Sequence, residues 1–114
     1  MAWDEDVAQG IRRALGPLAA ETVERRMFGG LCFLLRGNML GGASGAAMGG
    51  GALLRVGPGG EAKALALPGV APMAMRGRPM RGFVKLSPEA AADPEILSPL
   101  VALAAAFVAS LPPK

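Results

Sequence analysis

Along residues 4–18 the apolar positions recur at helical spacing, with Val7, Ile11, Ala14, Leu15 and Leu18 on one stripe. Asp4 is placed to cap such a helix, Glu5 and Asp6 suit its positive end, and Arg12 and Arg13 suit its negative end. Gly16-Pro17 then stops it, so the pattern predicts a helix ending near Leu15. From Thr22 the period shortens. Leu31 to Arg36 is an apolar run too short for a helix, Gly37-Asn38 tolerates positive φ, and Met39-Leu40 resumes, which reads as a hairpin. Leu53 to Val56 reads as a further strand closed by Gly57-Pro58-Gly59-Gly60, and Glu61 to Leu67 as a short helix closed by Pro68-Gly69.

The next segment alternates, with Met73 and Met75 on one side and Ala74 and Arg76 on the other. Gly77-Arg78-Pro79 turns the chain, and Met80 to Leu86 returns as a partner strand. Ser87-Pro88 leaves the sheet. A last helix begins either at Asp93-Pro94-Glu95, with Pro where no N–H is needed, or in earnest at Ser98-Pro99 with Ser98 as cap. Leu100, Leu103, Ala104, Phe107, Val108 and Leu111 form its apolar stripe. The stretch from Gly41 to Gly51 is almost all Gly and Ala. We expect a mobile hairpin tip there, the alternative being a strand that another backbone approaches closely. The whole is an α+β fold: an antiparallel sheet of five or six short strands, flanked by an N-terminal and a C-terminal helix packed on one face.

Composition agrees with one domain over residues 1–114. An apolar content of 52% supports a core in spite of 17 Gly and 10 Pro. The run from Pro99 to Leu111 is too short for the roughly 20 residues that cross a bilayer. The acidic start, Asp4-Glu5-Asp6, is unlike a secretory signal, so we expect a cytoplasmic protein with no membrane partner. With Cys32 as the sole cysteine and no histidine, an internal disulfide and a Cys/His metal cage are both excluded.

Charge adds a direction. From Arg25 to Pro88 nine bases face Glu61 alone, a net +8, whereas the flanks hold three bases and eight acids, a net −5. Arg55, Arg76, Arg78 and Arg81 lie on or beside strands, with Arg25 and Arg26 entering the sheet. Sharing a face, they would meet phosphates or an acidic protein patch. The bland reading is a solvated sheet face paired with the acidic helices. Without Tyr and with one Trp, base-stacking platforms are scarce.

The remaining chemistry reads as structural. Cys32 within an apolar run is a small core residue sooner than a thiolate, and no nucleophile has a histidine base. The acids sit at helix ends, where capping explains them. Gly57-Pro58-Gly59-Gly60 lacks the Gly-Lys-Ser/Thr ending of a phosphate loop. Met73, Met75 and Met80 offer thioethers that Cu(I) accepts, but core packing demands the same spacing. No catalytic, metal or cofactor residue is therefore assigned.

Taken in order, Arg25-Arg26-Met27-Phe28-Gly29-Gly30, Gly37-Asn38-Met39, Leu54-Arg55-Val56, Gly77-Arg78-Pro79-Met80, Gly82-Phe83-Val84 and the tail Ser110 to Lys114 resemble the N-terminal domain of the TfoX/Sxy family across nearly the whole chain. The resemblance implies an antiparallel sheet flanked by helices and a link to regulation of natural competence. The better-known members have a second, helical domain and assist a cyclic-AMP-dependent activator. No catalytic residue carries over. The expected function is a non-enzymatic regulatory or adaptor domain acting through protein contacts. The alternatives are direct nucleic-acid or anion binding through the arginines, and a small-molecule module with an apolar pocket between the sheet and the C-terminal helix. An exposed sheet edge or the Gly-rich hairpin offers a route to a homodimer.

Overall fold

The computed structural model describes residues 2–114. Helix α1 (Glu5–Leu15) starts where Asp4 accepts a hydrogen bond from the Asp6 amide at 2.9 Å, and it stops at Gly16, whose φ of 58° only glycine adopts without strain. Six antiparallel strands follow: β1 (Thr22–Met27), β2 (Gly30–Leu35), β3 (Asn38–Ala43), β4 (Ala52–Arg55), β5 (Val70–Met75) and β6 (Arg78–Leu86). They form one sheet in the order β1-β2-β3-β4-β6-β5. Helix α2 (Glu61–Leu65) links β4 to β5, and α3 (Pro88–Ala91) and α4 (Pro94–Ala109) end the fold. No helix of the described residues is long and apolar enough to cross a membrane.

Helices α1 and α4 pack on each other and on β3, with α4 also on β4, so one sheet face is covered and the other carries none of the α-helices, only the short Ala46–Met48 turn. The covered face contributes Leu31, Phe33, Leu35, Leu54, Val84 and Leu86 to the core, against Val7, Ile11, Leu100, Val101, Ala104 and Val108 of the helices. Alternation along each strand sends the intervening residues to the opposite face. The expected α+β layering therefore holds, with both terminal helices on one side.

Four local expectations change. Helix α4 runs from Pro94 through Pro99, with Asp93 as cap (2.9 Å to the Glu95 amide). Pro99 is tolerated because it lies in the exposed second turn, where the Glu95 carbonyl freed by its missing N–H can reach water. The buried stripe accordingly includes Leu97 and Val101, and Leu111 falls beyond the helix. The hairpin turns sit one residue earlier than expected, at Arg36-Gly37 (φ 52° and 83°) and Arg76-Gly77 (52° and 77°). Positive φ at both centres is the two-residue geometry whose twist matches the strands. Asn38 is consequently buried in β3, where its amide donates to the Pro112 carbonyl at 2.9 Å and ties down the tail.

The fourth change is the largest. Residues 41–51 are not a mobile tip: Gly41 and Gly42 are central strand residues, Gly45 bridges to Trp3, and Ala46–Met48 make a tight helical turn. The close-approach alternative is the one that holds. A Cβ on Gly42 would strike the Leu31 carbonyl and stand 2.8 Å from the Cys32 Cα.

Candidate binding surface

The helix-free face is built from one row of residues in register across all six strands: Arg25, Cys32, Gly42, Leu53, Lys85 and Ala71. Cations stand toward both flanks and small or apolar residues in the middle. Because Gly42 carries no side chain, the floor dips between Cys32 and Leu53. The dip becomes a cavity of about 120 Å³ through walls supplied from four places. Met39 comes from β3, Met48 from the Ala46–Met48 turn, Met75 and Met80 from the β5–β6 hairpin, and Met27 and Phe28 from the β1–β2 hairpin. Two hairpins at opposite edges of the sheet thus both contribute to one lining.

Each wall is held by identifiable contacts. Lys85 turns its ammonium to the Met48 carbonyl and to the Gly50 carbonyl at 3.3 Å, which pins the Ala46–Met48 turn over the sheet. Phe28 and Gly29 are the two centres of the β1–β2 turn, at φ 55° and 75°. A non-glycine residue in that region is strained, and the turn leaves Phe28 57% exposed at the rim. Gly30 opens β2 where any side chain would strike the Ala43 carbonyl, so the sequence Met27-Phe28-Gly29-Gly30 has a geometric reason at each glycine.

Cys32 is buried in the floor, and burial pushes its thiol above the usual range, so it is a neutral thiol at pH 7. Its surroundings are apolar and it stands as part of the lining. Met73 does not join the other methionines. A register shift between Pro72 and Ala74 interrupts the alternation that would have put it beside Met75. The place expected for a small-molecule pocket, between sheet and C-terminal helix, is filled by the core. The depression nearest it is an open groove between α2 and α4 lined by Lys63, Leu67, Pro99 and Leu103.

The six arginines do not share one face. Arg55 lies 5.6 Å from the Phe83 ring centroid and 5.5 Å from that of Phe107, and Arg26 lies 5.6 Å from Trp3, so both are stacked on aromatic rings. Arg25 is on edge strand β1, and Arg76, Arg78 and Arg81 are on the opposite β5–β6 hairpin. Alternation puts Arg78 on the side of Met80 and Arg81 on the other. The bland expectation of pairing with helix acids also fails for these six. The ion pairs among the described residues are Arg12 with Glu5 (2.8 Å) and Glu24 (2.7 Å), and Arg36 with Glu21 (3.7 Å). Arg12 holds both Glu24 and Glu5 below the usual carboxylate range by hydrogen bonding. Arg25, Arg76, Arg78 and Arg81 are exposed with no carboxylate partner.

Periodicity located the strands, but the cavity was missed because it depends on which strands are neighbours. The one available signal was the glycine pair 41–42 inside an apolar context. No curated protein and no solved structure matches the chain. The family model of the TfoX N-terminal domain matches residues 13–108, and the chain belongs to that family.

Proposed function

We propose that this competence-regulator-like domain is a regulatory adaptor that works through protein contacts, without catalysis, and that the helix-free sheet face is its contact surface. The observation that carries this reading is the pair of exposed arginines without carboxylate partners that flank that face, Arg25 on edge strand β1 in register with Cys32 and Arg78 on the β5–β6 hairpin in register with Met75. Unneutralised guanidinia attract an anionic partner. A protein partner is favoured over nucleic acid because the cations are divided between two edges and enclose apolar surface, whereas a duplex rewards a continuous run of phosphate contacts.

A photo-crosslinking amino acid placed at position 78 in the native host tests the reading. Discrete protein adducts that disappear when Arg25 is reversed to Glu are expected. Adducts with nucleic acid, or none above a probe placed on α4, would contradict it. Direct nucleic-acid binding is the second reading, supported by the same unpaired arginines. It predicts duplex affinity that falls steeply with salt, with R78A and R81A lowering the slope.

A further inference from the structure

Resting on the adaptor reading, we infer that the methionine-lined cavity is a socket for one large apolar side chain of the partner, presented on a segment whose neighbouring residues are acidic. Three observations lead there. The cavity, at about 120 Å³, is well below the roughly 300–1,000 Å³ of sites that enclose drug-sized ligands or cofactors, and suits a single anchoring side chain. Cations stand next to its lining in strand register: Arg25 is paired with Cys32 across β1–β2, and Arg78 with Met75 across β5–β6. An incoming apolar residue therefore brings its flanking residues against guanidinia, which selects Asp and Glu there.

The third observation is how sulfur is distributed. The cluster of buried residues between sheet and helices contains no methionine or cysteine among the described residues, being built of Leu, Val, Ile, Ala and Phe, and the buried Met73 of β5 belongs neither to it nor to the cavity. Five methionines and the sole cysteine instead line a single cavity on the opposite face, beside which other depressions exist. Filler methionine would be expected on both faces. Thioether side chains are unbranched and repack around differently shaped guests, which is how adaptable protein-binding surfaces are made. All five are half-buried, so they can move. Phe28, exposed at the rim, closes over the guest's flank.

The probe is a fluorescein-labelled decapeptide with a central Phe between Asp and Glu residues, measured by anisotropy against the full chain. Two control peptides carry a central Ser, or Asn and Gln flanks. The Phe peptide should bind, the Ser peptide about thirtyfold more weakly, as for loss of a hot-spot anchor. The Asn/Gln peptide should bind more weakly and lose its salt dependence. M80Q and R78E should each weaken the Phe peptide, and a Leu-for-Met replacement at position 80 should keep Phe binding, which guards against a variant that merely fails to fold. Equal binding of Phe and Ser peptides, with R78E harmful and M80Q silent, overturns the socket and leaves the adaptor reading standing. Binding of duplex DNA in place of every peptide overturns both. Binding of no probe overturns the socket.

Discussion

Met75 and Arg78 are directly paired across the last rung of the β5–β6 hairpin, so one short turn places a thioether in the cavity wall and a guanidinium on the same face. The Arg76-Gly77 turn, with positive φ at both centres, is what brings them together. Apolar grip and anionic attraction are therefore coupled in a single element, and this coupling makes several outcomes specific.

Gly42→Ala should destabilise the fold by about 1–3 kcal/mol, because the new Cβ meets strand backbone, which cannot swing aside as a side chain would. Urea unfolding should give a lower midpoint with an unchanged slope. Loss of the cavity should accompany it.

Lys85→Met should free the Ala46–Met48 turn. Removing a charged donor from two carbonyls costs on the order of 1.5–3 kcal/mol locally. Hydrogen exchange at residues 48–51 should accelerate, while amides of α1 and α4 keep their protection.

Phe28→Gly separates stability from binding. Relief of the left-handed conformation, about 1 kcal/mol, offsets the lost apolar cover, so the melting temperature should hold or rise. Binding of the Phe-centred peptide should fall. A parallel loss of both would mean that Phe28 is structural.

Stability should decline on acidification through the Arg12 pairs. Glu24 and Glu5 have folded-state pKa values held down by hydrogen bonds from Arg12. Their contribution is thus present above the unfolded value of about 4.3 and is lost as pH falls below it. The effect is modest because these groups are partly solvated. In R12M the acid limb of the stability profile should flatten.

Local signals made much of the fold legible. Asp4 and Gly16 bracket α1, and the run Leu31 to Leu35 with its following glycine announces β2 and its turn. Asp93-Pro94 marks α4 correctly, while Pro99 argued wrongly for a later start because its cost is small when the freed carbonyl can be solvated. The site was less legible. Cys32, Gly42 and Leu53 are contiguous only through strand register, and β4 pairs with β6 by skipping β5. The alternation that joined Met73 to Met75 was broken by a register shift beside Pro72, which as a residue unable to donate to the ladder was the signal for it. The arginines were found as a charge imbalance, yet aromatic partners had claimed Arg26 and Arg55, and those contacts are tertiary.

The most direct test is a titration of the chain, labelled with ¹³C at the methionine methyl groups, with the Phe-centred acidic peptide. The account predicts that the methyl signals of Met27, Met39, Met48, Met75 and Met80 move together while that of Met73 stays in place. Movement confined to Met73, or to amides of α1 and α4 with the five signals unchanged, would contradict it.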